Sequence, residues 1–304
     1  MEEIFKHSNS YWVKYSEYEK KKNKNGKQYI VPAPNSEVKM FKPLENAEQM
    51  VIDALNVGLV CMARESTEQD KEQAILSFVS EYGLLGFMTA IPTTPKFMDF
   101  DTVYLLKNQF IKAETMSTYD YIDIFFPFDK LNITGNGENR KWDITGDVQM
   151  MALAMTKQNE PMAAGMEAQR SYAEPYDWLV RQFKDWAFTF YTSILYYNDF
   201  DKLGDEEKNL YRQAMTCFDG IASTYHIELL DKPTIVWDFH SLLLEIQIMF
   251  SFMLTNSENP LKICKHCSKV FKASRPKTIF CSPQCKNRYN VYKSRAKHKD
   301  NNKI

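Results

Sequence analysis

The sequence has few of the features that mark a flexible, secreted or membrane-embedded chain. Glycine is scarce, with 10 in 304 residues, whereas tyrosine and phenylalanine number 17 and 20, which excludes a low-complexity protein. The first residues lack the apolar segment of a secretory signal. The most apolar run, 242–254, is too short to span a bilayer and contains Glu245. We therefore expect a cytoplasmic chain that does not enter a membrane.

Acidic residues are missing from one long stretch of the chain. From 262 to 299 there are twelve lysines or arginines and no aspartate or glutamate, whereas the 261 residues before it hold 25 basic and 38 acidic residues. The formal net charge of −1 hides this asymmetry. A basic end of this kind predicts an anionic partner such as DNA or RNA. Docking of the basic end onto the acidic body of the same chain is the alternative.

Four of the six cysteines lie in this basic stretch. Two residues separate Cys264 from Cys267, and three separate Cys281 from Cys285. Four thiolates spaced in this way are typical of a tetrahedral zinc site, and in the cytoplasm clustered cysteines indicate a metal rather than disulfides. Because the protein would supply all four ligands, we expect a structural Zn²⁺ ion with no open position for a catalytic water.

The residues around the second cysteine pair predict a helix that begins at the metal. Ser282 is a good N-cap and Pro283 suits the first helical position, so that Cys285 falls in the first turn. A tight turn at 264–267 and a strand-like run at 278–280 precede this helix. This order of elements predicts a treble-clef-like zinc module.

The predicted helix combines an aromatic face with basic residues on its other sides. The aromatic face continues from Cys285 at helical spacing and is predicted to pack on the metal core, near Phe271 and Phe280. Its members are Tyr289, Tyr292 and Ala296. The two tyrosines could instead stack on bases, although their spacing with Cys285 favours core packing.

The basic and amide side chains of the C-terminal region are candidates for contacts with nucleic acid. Lysine and arginine would bind phosphates, and asparagine could reach base edges. The candidates are Arg275, Lys277, Lys286, Asn287, Arg288, Asn290, Lys293, Arg295 and Lys297.

The residues before the cysteines predict a mixture of strands and helices. Alternating aromatic and polar residues at 11–15 and 29–32, around a lysine-rich turn at 20–27, predict a β-hairpin, and 38–43 predicts a third strand. Apolar residues at helical spacing predict helices elsewhere. These are 47–59 with Gly58 near its end, 70–82, 102–118 more weakly, 148–156, 176–198, 205–217 and 239–255. Further strands are predicted at 121–128, at 142–144 after a turn at 133–137, and in the pair 226–229 and 234–237.

The fold class predicted from these elements is α+β, in two domains. The polar segment 256–260, which ends in proline, is the predicted boundary. Residues 1–255 would form a mostly helical domain with a small antiparallel sheet, and residues 260–304 the four-cysteine module with its basic helix. The larger domain is a candidate for binding a small-molecule ligand or forming a homodimer. Cys61 and Cys217 lie in apolar helices and are predicted to be buried.

The cysteine motif resembles the CGNR-type zinc finger of bacterial proteins. The resemblance is carried by Cys264, Cys267, Phe271 and the run Cys281-x3-Cys285-Lys286-Asn287-Arg288. Lys286 stands where the family has glycine. Ala54-Leu55-Asn56 and the segment 75–86 resemble landmarks of the family's N-terminal domain, called ABATE. The resemblance implies a ligand-sensing domain and a role in stress-linked transcriptional regulation. Membership of a sister group of bacterial proteins with the same finger fits equally well.

A regulator that binds nucleic acid is the favoured function, and two other classes compete with it. A structural or protein-interaction zinc module would use the same residues without nucleic acid. An enzyme is not expected, because the sequence has no phosphate loop, G-x-S-x-G or H-E-x-x-H motif. His240, near Asp238 and Glu245, is better explained as an interior or rim residue. The carboxylate pairs at 99 and 101 and at 120 and 123 are better explained as solvated loop charges.

Overall fold

The computed structural model describes three parts of the chain. These are residues 5–87 apart from 6 and 10, several short segments between 102 and 142 (102–104, 109–110, 112, 115–128, 133–134 and 141–142), and residues 170–301 apart from 217, 219, 221, 222 and 240. The predicted helix 148–156 and strand 142–144 therefore lie wholly or mostly outside the described residues, as do Cys217, His240, Asp99 and Asp101.

The described residues form an α+β fold with small sheets, which confirms the predicted fold class. The strands are β1 (Ser8–Asn9), β2 (Trp12–Tyr15), β3 (Tyr18–Lys22), β4 (Gln28–Pro32), β5 (Val38–Phe41), β6 (Thr102–Tyr104), β7 (Thr115–Ser117), β8 (Ile133–Thr134), β9 (Lys141–Trp142), β10 (Glu174–Pro175), β11 (Thr224–Leu229), β12 (Pro233–Asp238), β13 (Leu261–Ile263) and β14 (Val270–Lys272). The helices are α1 (Ala47–Met62), α2 (Glu68–Tyr82), α3 (Thr118–Phe125), α4 (Tyr176–Asp199), α5 (Asp205–Thr216), α6 (Leu242–Leu254) and α7 (Pro283–Asn301), with a short 3₁₀ turn at Pro43–Asn46.

The N-terminal strands pair differently from the prediction. The hairpin with the lysine-rich tip joins β3 to β4, whereas β2 pairs antiparallel with β5. The tip is closed by Asn23, whose side-chain oxygen accepts from the backbone N–H groups of Asn25 and Lys27. The predicted pairing of 11–15 with 29–32 is wrong because β4 already lies between β3 and β10. Both of its edges are therefore occupied.

The segment between 102 and 128 reverses the predicted element types. The stretch predicted as a weak helix contains the antiparallel pair β6 and β7, and the stretch predicted as a strand forms α3. Thr102-Val103-Tyr104 consists of β-branched and aromatic residues, which favour strands. The hydroxyl of Ser117 accepts from the backbone N–H of Asp120 and starts α3. A short apolar run without such a cap does not distinguish helix from strand.

The remaining helices agree with the predictions within a few residues. α2 begins at a capping box between Thr67 and Asp70 and ends at Gly83. α4, α5 and α6 match the predicted helices, and the strand pair β11 and β12 is also present. None of the helices within the described ranges is both long and apolar enough to pass through a lipid bilayer.

The main core forms where α1 crosses α4. Met50, Val51 and Leu55 from α1 are buried together with Phe183 and other aromatic residues of α4. Gly58 was predicted to lie near the helix end, but α1 continues to Met62, and the glycine allows the close crossing. A Cβ atom at this position would lie 2.2 Å from the backbone oxygen of Phe183.

Gly58→Ala is expected to destabilise the protein by about 2 kcal/mol, because α1 and α4 must separate to admit one methyl group. The midpoint of urea unfolding measures this change. Gly204→Ala is the control, since a Cβ there would meet no atom closer than 3.8 Å. Equal unfolding midpoints for the two variants would show that the helices do not need this close approach.

A buried carboxylate joins the loop after α2 to β10. Glu174 is fully buried, and its oxygens accept from the backbone N–H groups of Leu85 (2.9 Å), Gly86 (2.5 Å) and Phe87 (3.0 Å). The Tyr172 hydroxyl donates a fourth hydrogen bond, of 2.6 Å. Burial raises the pKa of Glu174, and these donors oppose the rise. The loop bends around the carboxylate with Gly86 at a φ of +79°, a conformation that favours glycine.

Candidate metal centre

The first cysteine pair lies in a tight turn between two short strands. β13 and β14 pair antiparallel, and Cys264 follows β13 directly. The backbone N–H of Cys264 donates to Lys269 at 2.9 Å, and that of Ser268 donates back to the carbonyl of Cys264 at 3.0 Å. Ser268 has a φ of +59°, which closes the turn. The predicted tight turn at 264–267 is present.

A backbone hydrogen bond and a helix cap position the second cysteine pair, Cys281 and Cys285, next to the first. The backbone N–H of Lys265 donates to the carbonyl of Ile279 at 3.0 Å and brings the segment before Cys281 against the turn. Residues 278–280 form no regular strand, contrary to the prediction. The hydroxyl of Ser282 accepts from the backbone N–H of Cys285 at 3.2 Å. Ser282 therefore caps α7 as predicted, and Cys285 lies in the first helical turn.

The four sulfur atoms of Cys264, Cys267, Cys281 and Cys285 lie within 4.8 Å of one another. The Sγ atom of Cys281 is 3.7 Å from that of Cys267 and 3.5 Å from that of Cys285. Four sulfurs arranged tetrahedrally at about 2.3 Å from one ion would be about 3.8 Å apart. The cluster therefore has the size of a four-thiolate metal site and could bind one metal ion.

The electrostatics of the cluster also favour a cation. Burial opposes ionisation of Cys264, but the backbone N–H groups of Cys267, Cys281 and His266 outweigh it and lower the pKa of Cys264 to about 6. Burial, together with the neighbouring sulfurs, raises the pKa of Cys281 to about 12. The backbone N–H groups thus favour thiolates in the cluster, whereas burial and the neighbouring sulfurs resist their ionisation. A bound cation would remove that resistance, since it attracts all four thiolates.

A small apolar cluster supports the sulfurs from behind. Cys264, Phe271 and Ala273 are buried together, and Phe280 and Cys285 pack against them. As predicted, the aromatic face of α7 turns towards this cluster at Tyr289, whose ring lies 5.2 Å from that of Phe280.

Tyr292 departs from the prediction of core packing. It remains 62% exposed and stacks on His266, with ring centroids 5.8 Å apart and an angle of 22° between the planes. The small apolar cluster around Phe271 and Phe280 does not include Tyr292. The side chain of Ala296 lies outside the described residues.

The cysteine module packs against α1 of the larger part of the chain. Val270 and Leu261 belong to the same buried core as α1. The Asn56 side chain accepts from the backbone N–H of Val270 at 2.8 Å and donates to its carbonyl at 3.5 Å. Lys272 forms an ion pair with Glu48. The contact between Asn56 and Val270 was not predicted from the sequence, because an asparagine within an apolar helix has no fixed partner.

A groove of about 1110 Å³ lies at this junction. The groove is lined by side chains of both charge signs, including the basic Lys42 and Lys269 and the acidic Glu45 and Asp53. The lining therefore selects neither an anion nor a cation. The ligand predicted for the N-terminal domain stays a prediction.

The candidate nucleic-acid contacts are exposed wherever their side chains are described. This holds for Arg275, Lys277, Lys286, Asn287, Arg288, Asn290, Lys293 and Arg295. The side chain of Lys297 lies outside the described residues. Arg275 and Lys277 lie in the loop before α7, and the others lie along the helix. The cysteine cluster and the basic side chains thus occupy one continuous module.

The other singled-out residues lie away from this module. Cys61 is buried as predicted, and burial raises the pKa of its thiol to about 11. Asp120 and Asp123 are exposed, as expected of solvated charges, but they lie in α3 rather than in the predicted loop. Asp238 contacts His226 through a 2.8 Å hydrogen bond.

Comparison with known proteins adds no relative: no protein-family model, curated protein or solved structure matches this chain.

Proposed function

We propose that Cys264, Cys267, Cys281 and Cys285 bind one structural zinc ion in a treble-clef-like module. The spacing of the sulfurs supports this, because a four-sulfur site of this size suits zinc. The apolar cluster behind the sulfurs contains few side chains, so that burial alone would hold the module weakly. The ion would cross-link the turn, the loop and α7. Membership of the CGNR-type group stays a prediction that rests on the motif.

We further propose that the module binds nucleic acid through α7. The observation that carries this proposal is the exposure of the helix: of residues 283–295, all but Cys285 and Tyr289 are exposed. This stretch carries four lysines or arginines and no acidic residue. Docking of the basic helix onto the acidic body would have covered one side of it. A positively charged helix that reaches solvent is suited to phosphate groups.

Helical spacing divides the basic side chains into two rows. Lys286 and Lys293 are seven residues apart and share one side, with Asn290 between them. Arg288 and Arg295 have the same spacing on another side, next to Tyr292. We therefore propose that the lysine row binds backbone phosphates and that Asn287 and Asn290 are placed to reach base edges.

The double variant Lys286→Glu/Lys293→Glu tests this proposal. Its affinity for a labelled DNA or RNA of about 20 nucleotides should fall by roughly 10-fold or more, and the salt slope should drop by about two, since two phosphate contacts are lost. Mobility-shift titrations at increasing salt measure both quantities.

The matched control is Lys24→Glu/Lys232→Glu, which changes the charge equally at exposed lysines outside the module. It should bind nearly as well as the natural protein, and both variants should keep their metal. Absence of binding to DNA and RNA at low salt would reject the proposal. In that case a pulldown would test the protein-interaction alternative. A partner protein that the natural protein and the control variant capture, but the Lys286→Glu/Lys293→Glu variant does not, would favour it.

A further inference from the structure

An exposed aromatic stack lies beside the metal cluster. One face of the Tyr292 ring rests on His266 in the turn between Cys264 and Cys267, at 5.8 Å and nearly parallel. The residue nevertheless remains 62% exposed. The stacking contact with the turn therefore restrains a tyrosine ring that remains largely exposed to solvent.

Tyr292 differs in this respect from the preceding aromatic residue on the same face. Tyr289 packs on Phe280 and is half-buried, as expected for a residue that only closes the small core. Packing alone does not explain a second large ring that stacks on a partly polar one and remains exposed. An open ring surface of this kind is suited to stacking another flat ring.

The surroundings of Tyr292 are basic. Arg288 precedes it by four residues and Arg295 follows it by three, so that both lie on the same side of α7. Both arginines are exposed, as are Lys293 and Lys265, the residue next to His266. A ring bound on Tyr292 would therefore be flanked by groups that attract phosphates.

We propose that Tyr292, supported by His266, is a stacking platform for an unpaired base, so that the module prefers single-stranded nucleic acid. This inference rests on the proposed function and specifies its ligand. In a duplex the faces of the bases are covered by their neighbours, whereas an unpaired strand offers each face to an aromatic side chain. The base would extend the stack of His266 and Tyr292, and Arg288 and Arg295 would bind the flanking phosphates.

Tyr292→Leu tests the platform, because leucine keeps apolar bulk over His266 but removes the aromatic face. Its affinity for a labelled single strand of oligothymidine should fall about 10-fold, and its salt slope should not change, since no phosphate contact is lost. Tyr292→Phe should bind like the natural protein. Fluorescence anisotropy in parallel with a duplex of equal length should show weaker binding to the duplex. In addition, a 5-bromouracil strand should cross-link to Tyr292 under ultraviolet light, which peptide mass spectrometry detects.

The outcomes separate this inference from the proposed function. If Tyr292→Leu binds single strands as strongly as the natural protein does, the stacking platform is overturned while nucleic-acid binding stands. The same follows if the cross-links form only at other residues. Equal affinity for single strand and duplex would overturn the preference. Absence of binding to either would reject both. Metal content measured on each variant shows that the module is intact, and cross-linking of the natural protein decides the case if a variant has lost its metal.

Discussion

Replacing Cys281 with serine is expected to release the proposed zinc ion and to unfold the cysteine turn at 264–268 together with α7. A structural zinc ion contributes on the order of 10 kcal/mol to the stability of such a module. The small apolar cluster behind the sulfurs is too small to supply a free energy of that size. Cys281 is central to the cysteine cluster, since its sulfur lies 3.7 Å from that of Cys267 and 3.5 Å from that of Cys285. The metal content, measured by mass spectrometry, should fall from about one zinc per chain to nearly none. Limited proteolysis should then cut within α7.

Cys61→Ala is the matched control, because this thiol is buried in the main core and lies far from the cluster in sequence. It should keep a full complement of zinc and a protected α7. The proposal of a structural zinc ion would fail if the natural protein contained no zinc, or if Cys281→Ser kept both its metal and its resistance to protease.

Replacing Glu174 with alanine is expected to lower the free energy of unfolding by about 3 kcal/mol or more. The change leaves three backbone N–H groups without an acceptor, and each unpaired buried group costs about 1–3 kcal/mol. The Tyr172 hydroxyl also loses its partner. Because the donors come from the loop after α2 and the acceptor from β10, the loop should detach from the sheet. Chemical denaturation measures the loss, and hydrogen exchange at residues 85–87 locates it.

Glu174→Gln separates the hydrogen bonds from the volume of the side chain. It keeps the shape and one acceptor oxygen, so it should lose less stability than alanine but more than the exposed control Glu228→Ala, which should change by less than about 0.5 kcal/mol. Equal stability of Glu174→Ala and the control would contradict the structural role of the carboxylate.

The cysteine cluster was largely predictable from sequence because its determinants are local. The two cysteine spacings, the Ser282 cap and the helical position of Cys285 all lie within 22 residues of one another, and each follows from short-range geometry. The exposure of Tyr292 was not predictable in the same way. Helical spacing places Tyr292 on the same face of α7 as Cys285. It does not show how far along the helix the apolar cluster covers that face.

The pairing of strands and the contacts between distant segments were less predictable. β2 could have paired with β4 on pattern alone, and only the position of β10 beside β4 excludes that choice. Gly58 has the composition signal of a helix end, but its role depends on Phe183, which is 125 residues away.

The hairpin of β11 and β12 exposes the apolar side chains of β11 to solvent. Alternation usually places the apolar face of a strand inside. Here Tyr225, Ile227 and Leu229 are 60, 66 and 81% exposed, whereas Val236 is the residue of β12 that is buried. Alternation therefore predicts the two strands but does not indicate which of their faces is covered.

The contact of Asn56 with Val270 has a mechanical consequence. One amide side chain engages both backbone groups of a single β14 residue, while Leu261 and Val270 lie in the same core as α1. The 256–260 connection therefore does not act as a free hinge. A force applied to the cysteine turn at 264–268, for example by a nucleic-acid strand bound along α7, would be transmitted to α1.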